Sequence, residues 1–161
     1  MTLDSFSSFF FVGIAGTGMS AIAQYLQGVG KQVSGSDRLF GAEQKIRIQT
    51  QFEEQGIACY FQDGSGITKF TDVVIVSTAI EQSNVEYQKA LELGIPVMKR
   101  SELLAAISNS IKTIAVGGTS GKSTTTAMIF HILQTCGKSP SLITGAGLSE
   151  LQERGMPGNA W

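Results

Sequence analysis

A glycine-rich segment between an apolar run and a helical pattern constrains this chain more than any other feature. The run from Ile114 to Val116 predicts a buried parallel strand, which Gly117-Gly118 ends. A helix is predicted after the glycines from apolar residues at helical spacing, namely Met128, Ile129, Ile132 and Leu133. The amides of the loop and the N-terminus of the helix then converge on one point. This arrangement predicts an anion-binding site.

This glycine-rich segment is the second glycine loop of the chain, and a phosphate group is a suitable ligand for it. Lys122 can reach the β- and γ-phosphates of a nucleotide, and the hydroxyl of Ser123 can enter the coordination shell of Mg²⁺. The match to G-x-x-x-x-G-K-[ST] is imperfect, because Val116 stands where the first glycine belongs. The alternative is an ordinary strand-to-helix turn with a solvated lysine.

An earlier segment repeats the same order of strand, glycine loop and helix. Phe9 to Val12 is a continuous apolar run, and Gly13 to Gly18 follows it. Asp37 lies about 20 residues beyond the loop, where nucleotide-binding folds place the carboxylate that holds a ribose. Ala15 replaces the middle glycine of G-x-G-x-x-G, so a tight turn without a ligand and a surface acid remain alternatives.

Buried-strand patterns alternate with helical ones over the first two thirds of the chain. They predict an α/β fold: a Rossmann-like, mainly parallel sheet in residues 1–107, with helices on both faces. The strands are expected near Phe9 to Ile14, Gln32 to Ser36, Ile57 to Tyr60, Asp72 to Ser77 and Pro96 to Met98. The fourth strand leads into Ser77 to Ile80, at the carboxyl edge where ligands of such sheets bind.

Residues 108–161 are predicted to be the truncated start of a P-loop ATPase-type domain: its first strand, P-loop and helix. A further short strand is expected at Ser141 to Thr144, and loop from Gly145 onward. Without a sheet to cover its apolar residues, this part predicts self-association of the chain.

Composition excludes several classes of function. A formal net charge of -1 and a single histidine argue against nucleic acid as a partner. Cys59 and Cys136 lie far apart, which indicates neither a disulfide framework nor a zinc site. No apolar run approaches the ~20 residues of a membrane span, and the N-terminus has no signal-peptide pattern. We expect a cytoplasmic protein with no membrane partner.

Some conspicuous residues are expected to be structural. Tyr87 and Leu91 form a stripe that predicts core packing, and His131 is expected to be packed or solvated. Lys69, Lys99 and Arg100 are expected to form a solvated rim.

Four blocks of the sequence together resemble the Mur ligase superfamily, the ATP-dependent amide ligases of peptidoglycan synthesis in the cell wall. They are G-I-A-G-T-G-M-S, Q-V-S-G-S-D, S-T-A-I with G-I-P-V-M-K-R-S-E-L-L, and G-T-S-G-K-S-T-T-T. The order and content are most similar to the subgroup that joins L-alanine, or murein tripeptide, to UDP-N-acetylmuramate.

The resemblance implies two groups of binding residues. The UDP-substrate would contact Gly13, Ile14, Ala15, Gly16, Thr17, Gly18, Met19, Ser36, Asp37, Ser77, Thr78, Ala79 and Ile80. ATP would contact Gly118, Thr119, Ser120, Gly121, Lys122, Ser123 and Thr124, with Lys122 catalytic and Ser123 on Mg²⁺.

The implied activity is ATP-dependent ligation of UDP-N-acetylmuramate, or a UDP-muramyl peptide, to an amino acid through an acyl phosphate. Ser120 and Ser123 stand where the subgroup usually has histidine and threonine, so the amino acid, with L-alanine expected, stays open. Because such ligases run to about three domains, we expect this chain to be a truncated part that binds UDP-sugar without turnover.

Two other functions fit parts of the pattern. An NAD-binding dehydrogenase or regulatory Rossmann domain would explain the first glycine loop and Asp37, but not the second loop. A P-loop kinase or NTPase would explain the second loop, but normally needs the intact motif.

Overall fold

A parallel five-stranded sheet forms the centre of the molecule. A computed structural model of the chain describes residues 3–41, 45–148, 151 and 160. The strand order is β3-β2-β1-β4-β5, and every neighbouring pair is parallel. The strands are β1 Ser8–Val12, β2 Gln32–Asp37, β3 Ala58–Phe61, β4 Val73–Val76 and β5 Val97–Lys99. The predicted α/β fold and its five strands are confirmed.

Helices cover both faces of the sheet. They are α1 Thr17–Gly28, α2 Arg47–Glu54, α3 Val85–Glu92, α4 Arg100–Ser110 and α5 Lys122–Thr135, after a short 3-10 turn at Leu3–Ser5. The loosely periodic Ile46, Ile48 and Phe52 predict a helix from about Gln44 to Gln55; the structure has it at Arg47–Glu54, and Gln44 lies outside the described residues. Helix α4 continues to Ser110, so the expected boundary after residue 107 falls in its last turn and stays a prediction.

The central strand β1 explains why the sheet has two cores. Phe9 and Phe11 belong to one buried cluster with residues of α1, α2 and α4, whereas Phe10 and Val12 belong to another with Ala90 of α3. Successive side chains of a strand point to opposite faces, so a continuous apolar run covers both. Each such side chain stabilises the fold by about 1.5 to 3 kcal/mol on burial.

Gly35 lets the first glycine loop pack tightly against the sheet. A β-carbon there would lie 2.6 Å from the carbonyl oxygen of Phe11 and 2.7 Å from Cδ1 of Ile14. Ile14 is fully buried against this bare stretch of β2. The side chain of Ile14 therefore anchors the loop after β1 on β2.

The strand predicted at Ile114 to Val116 is absent from the sheet. Residues 112–117 have no regular structure, and the side chain of Ile114 is 62% exposed. The apolar run has the composition of a strand, but no neighbouring strand in the described part of the chain pairs with it. The helix expected after the loop is present as α5, with Met128 and Ile132 exposed. Self-association through these side chains stays a prediction.

Other expectations in the second half are corrected in detail. Ser141 to Thr144 is not a strand: Ile143 makes a single antiparallel bridge with Ala160. Leu91 is 56% exposed, so only Tyr87 of the predicted stripe packs against the core. Most residues after Leu148 lie outside the described part of the chain. Among described residues, no helix is both long enough and apolar enough to cross a membrane.

Candidate functional site

The site lies at the carboxyl edge of the sheet, where the direction of the strand order reverses. From β1 the chain builds outward to β2 and β3 on one side, and then returns to β4 and β5 on the other. In open α/β sheets the crevice outside the carboxyl ends at this reversal is the ligand site. Gly13 follows β1 there, and Ser77 follows β4.

Backbone hydrogen bonds fix the first glycine loop. The amides of Gly13 and Ile14 both donate to the carbonyl of Ser36, at 2.8 and 3.0 Å. Gly13 has a φ of 74°, a conformation that favours glycine, and the amide of Gly16 closes the turn onto its carbonyl at 3.2 Å. Gly16 then leads into α1 with no side-chain cap and no acidic residue in the first helical turn. An anion can therefore approach this helix N-terminus.

Asp37 ties the loop to the end of β2. Its Oδ2 accepts a hydrogen bond from the amide of Ala15 at 3.0 Å, and its Oδ1 accepts one from the amide of Leu39 at 3.0 Å. The carboxylate predicted to hold a ribose thus also positions the loop that precedes α1.

The side chain of Ser36 points away from the crevice, so any contact of this residue with a UDP-substrate stays a prediction for its backbone. The residue is fully buried, and its hydroxyl donates to Oε2 of Glu86 in α3, on the opposite face from Asp37. Its side chain therefore does not face the ligand crevice. What Ser36 contributes to the loop is its carbonyl group.

The other predicted UDP-binding residues lie along one edge. Ile14 and Met19 are buried, so they offer backbone rather than side chains, whereas Gly16 and Thr17 are exposed. The segment after β4 is a turn in which the amide of Ile80 donates to the carbonyl of Ser77 at 3.2 Å. The side chains between them, of Thr78 and Ala79, are exposed.

Arg100 was expected in a solvated rim; it is exposed, and it also lies beside the first glycine loop, which makes it a candidate site residue. It follows β5 at the same carboxyl edge, and its guanidinium lies so close over Gly18 that any side chain at Gly18 would displace it. Neither ion pair found in the described part of the chain, Lys45–Glu53 or Lys89–Glu92, involves Arg100. A cation beside a helix N-terminus favours an anion between them. Two sequence signals could have found Arg100: its position directly after a strand, and its place in the block G-I-P-V-M-K-R-S-E-L-L.

The second glycine loop lies outside the sheet, and the predicted ATP residues surround it. Gly121 precedes α5 with a φ of 75°, and this helix has no side-chain cap and no acid in its first turn. Nζ of Lys122 donates to the carbonyls of Gly118 at 2.6 Å and Thr119 at 3.3 Å. Ser123 is half-buried, whereas the rest of residues 118–124 are exposed.

Glu86 is a buried carboxyl group beneath the site that the sequence did not reveal. It is fully buried in the first turn of α3, where Asn84 caps the helix by accepting from the amides of Glu86 and Tyr87 at 3.0 and 3.3 Å. Burial raises the pKa of Glu86 to about 7, although the hydrogen bond from Ser36 acts in the opposite direction. Its protonation is thus linked to the strand end that holds the first loop.

Comparison with known proteins decides the family. The model of the Mur ligase family, catalytic domain, matches residues 8–112, which hold all five strands and α1 to α4. The chain belongs to the Mur ligase family. The resemblance drawn from the four sequence blocks is thereby confirmed.

Curated members of the Mur ligase family share the sequence. A UDP-N-acetylmuramate--L-alanine ligase of Syntrophomonas wolfei is 40% identical over 146 residues, covering 89% of this chain and 30% of the relative. The protein of the same name in Mesorhizobium japonicum is 38% identical over 136 residues, covering 84% of this chain and 28% of the relative. The chain thus spans less than a third of the length of these relatives.

Solved structures of Mur ligases share the fold. The UDP-N-acetylmuramate-alanine ligase of Thermotoga maritima matches 95% of this chain and 34% of its own, with 30% identity and a TM-score of 0.80. The UDP-N-acetylmuramate:L-alanyl-gamma-D-glutamyl-meso-diaminopimelate ligase of Neisseria meningitides matches 96% of this chain and 46% of its own, with 25% identity and a TM-score of 0.79.

No metal-binding cluster accompanies these loops in the described residues. Within 3–41, 45–148, 151 and 160, no group of three or more His, Cys, Asp or Glu side chains could hold a metal ion. Cys59 and Cys136 are free thiols, and burial raises the pKa of Cys59 to about 12, which leaves that thiol unreactive.

Proposed function

We propose that this chain is the UDP-substrate-binding part of an ATP-dependent ligase of peptidoglycan synthesis, acting in the cytoplasm. The ligase joins UDP-N-acetylmuramate, or a UDP-muramyl peptide, to an amino acid, with L-alanine expected from the relatives' names. One observation carries the proposal: in a chain of the Mur ligase family, an uncapped helix N-terminus with Arg100 above it lies at the reversal of the strand order.

The diphosphate of the substrate is proposed to bind in front of α1. The exposed backbone around Gly16 to Gly18 permits close approach, and the helix N-terminus adds roughly half a positive charge. The guanidinium of Arg100 supplies a full charge on the same spot. Thr78 and Ala79, exposed after β4, border this position on the next strand.

Residues 108–161 are proposed to begin the part that binds ATP. The donor set of their glycine loop fits a phosphate group: positive-φ glycines shape it, an uncapped helix follows it, and Lys122 adds an ammonium group. The hydroxyl of Ser123 is the group that fits Mg²⁺. When bound, Mg²⁺ neutralises charge on the transferred phosphoryl group.

In the proposed reaction, the carboxylate of the muramyl substrate attacks the γ-phosphorus of ATP, which releases ADP and forms an acyl phosphate. The amine of the amino acid then attacks the acyl carbon, loses a proton and releases inorganic phosphate. Lys122 stabilises negative charge on the transferring group, and the first glycine loop holds the substrate's diphosphate. The chain spans less than a third of the length of its ligase relatives, and ligation is assigned to the whole enzyme. The chain alone is therefore proposed to bind without turnover.

Thermal unfolding with two ligands, UDP-N-acetylmuramate and NAD, tests the binding part. UDP-N-acetylmuramate at a hundredfold excess over its Kd is expected to stabilise the chain by about 2.7 kcal/mol. NAD at the same concentration is expected to leave the transition unchanged, since the family match favours a ligase over a dehydrogenase. Stabilisation by NAD without any by UDP-N-acetylmuramate would refute the proposed substrate.

A phosphate-release assay tests the second part. With ATP, Mg²⁺, UDP-N-acetylmuramate and L-alanine, the chain is expected to stay at background, far below the ~1 to 10³ s⁻¹ of complete enzymes. A full-length UDP-N-acetylmuramate--L-alanine ligase in the same buffer serves as the positive control. Substrate-dependent release by the 161-residue chain would mean that its catalytic groups are already complete.

A further inference from the structure

A buried carboxyl group joins the two sides of the ligand crevice. On one side, Oε2 of Glu86 accepts from the hydroxyl of Ser36, whose carbonyl holds the amides of Gly13 and Ile14. On the other side, Glu86 lies in the first turn of α3, which the chain enters from the exposed turn after β4. A negative charge on this fully buried group therefore lies directly beneath the proposed diphosphate site.

The surroundings of Glu86 disfavour its charged form. Oε1 has no hydrogen-bond partner among the described residues, and an unpartnered buried oxygen costs more in a carboxylate than in a neutral acid. The buried cluster on this face of the sheet is apolar. No ion pair within residues 3–41, 45–148, 151 and 160 involves this carboxyl group. The group therefore exchanges a proton near neutral pH, in agreement with its pKa of about 7.

The polar groups that face Glu86 supply no compensating cation. They come from β2 and from the turn after β3, and they are the hydroxyl of Ser36, the side chains of Gln62 and Asp63, and the amide of Gly64. Hydrogen bonds from the hydroxyl and the amide of Ser65 lower the pKa of Asp63, which therefore adds a fixed negative charge. On α3 itself, Lys89 pairs with Glu92 at 3.2 Å.

A bound diphosphate brings further negative charge to the other side of β2. Its proposed position in front of α1 lies beside the end of β1, about one strand spacing of 4.8 Å from Ser36 and on the order of 10 Å from Glu86. The repulsion acts through the protein interior, where salt screens it less than in bulk water. The diphosphate therefore favours the neutral form of Glu86.

A second effect acts in the opposite direction and is smaller. Ionisation of Glu86 strengthens the hydrogen bond that Ser36 donates. Ser36 is already fixed, however, because it pairs with Val12 of β1 and with Tyr60 of β3 in the sheet. The charge on Glu86 therefore affects the ligand more through repulsion than through the position of the loop.

We infer that Glu86 couples substrate binding to proton uptake: the UDP-substrate binds more tightly when this buried carboxyl group is neutral than when it is a carboxylate. The inference rests on the proposed function and adds a proton to its binding equilibrium. Because the ligand raises the pKa of Glu86, affinity is highest below about pH 7, where the group is neutral in the free protein, and falls as pH rises.

Calorimetric titration with UDP-N-acetylmuramate at pH 6, 7 and 8 tests the coupling. Both phosphates of this ligand are doubly linked, whereas the terminal phosphate of UDP would itself titrate near pH 6. The Kd of wild type is expected to rise about fourfold from pH 6 to pH 8, as like charges on the order of 10 Å apart require. Glu86→Gln is expected to keep its pH 6 affinity at pH 8. Glu92→Gln, on the exposed side of the same helix, is the matched control and should follow wild type.

Proton uptake is measured on wild type alone, so it tests the coupling even if Glu86→Gln fails to fold. Titrations at pH 7.4 in PIPES and in Tris, which differ in heat of ionisation, are expected to show uptake of roughly a third of a proton per substrate bound. A Kd that does not change with pH, together with no proton uptake, would overturn the coupling and leave the proposed substrate intact. The wild-type pH dependence retained in Glu86→Gln would also overturn it. Absence of UDP-N-acetylmuramate binding at every pH would overturn the proposed function as well.

Discussion

Replacing Gly16 with valine is expected to abolish binding of UDP-N-acetylmuramate while the fold stays intact. Gly16 has a φ of -63° and a ψ of 137°, which any residue adopts, and an added β-carbon would lie 3.4 Å from the nearest atom, the carbonyl oxygen of Gly13. The valine methyl groups would nevertheless occupy the space in front of α1, where the diphosphate must approach the backbone. Calorimetry is expected to show at least a hundredfold loss of affinity.

Gly28→Val is the matched control for this change. Gly28 ends the same helix at its far terminus, is exposed, and has open space around its α-carbon. Both variants are expected to unfold in urea within about 1 kcal/mol of wild type, as exposed substitutions generally do. Affinity retained within twofold by Gly16→Val would show that the diphosphate does not lie on this loop.

Glu86 is expected to make the stability of the protein fall as pH rises through neutrality. The pKa of Glu86 is raised from the ordinary 4.5 of an exposed glutamate to about 7 in the folded chain, chiefly because burial disfavours its charged form. Its contribution is fully present below about pH 4.5 and is lost as pH rises through about 7. With 1.36 kcal/mol for each pKa unit, the loss approaches about 3 kcal/mol.

Glu86→Gln is expected to remove this dependence, because the amide stays neutral and can still accept from Ser36. Urea unfolding at pH 5, 6, 7 and 8 should give similar free energies for both proteins at pH 5 and a more stable variant at pH 8. Glu92→Gln, on the exposed side of the same helix, should leave the pH profile as in wild type. Parallel profiles for wild type and Glu86→Gln would contradict a raised pKa.

Binding measured across the same pH range would show whether this group reaches the ligand. The hydroxyl of Ser36 contacts Glu86, and the carbonyl of Ser36 holds the amides of Gly13 and Ile14. Ionisation of Glu86 therefore strengthens the hydrogen bond donated by Ser36, the residue whose carbonyl holds the glycine loop.

The sheet was predictable because its strands are buried on both faces. Phe9 to Val12 and Val73–Val76 are continuous apolar runs, and their register and order follow from helices between them that return the chain to the same edge. The positions of the glycine loop and Asp37 at the carboxyl edge were predictable from the ends of β1 and β2, whereas their contact with a UDP-substrate stays a prediction.

Residues whose role depends on the opposite side of a strand were not predictable. Ser36 and Asp37 are adjacent in the sequence, yet alternation sends one toward α3 and the other toward the glycine loop. Glu86 looked like an ordinary acid at a helix N-terminus, because burial by other elements leaves no local pattern. The role of Arg100 depends on its position beside Gly18 in the folded chain, and no spacing in the sequence predicts that contact.

The run Ile114 to Val116 illustrates a different limit. Its composition suits a strand, but a strand also needs neighbours that accept its hydrogen bonds. In the described part of the chain no strand does so. An apolar run shows that a segment favours a strand, but it does not show which strand would pair with it.

The contact of Lys122 with its own loop has a consequence for how the second site takes up a ligand. The ammonium group already has two carbonyl partners, from Gly118 and Thr119. An incoming phosphate must compete with those two carbonyls for the ammonium group of Lys122. Binding therefore replaces existing hydrogen bonds of Lys122 with new ones to the phosphate. The free energy gained is the difference between the new charge-assisted contact and the contacts it replaces, which is smaller than the strength of the new contact alone. Discrimination between a nucleoside triphosphate and lone phosphate must then come from the additional oxygen atoms that only the triphosphate offers to the amides.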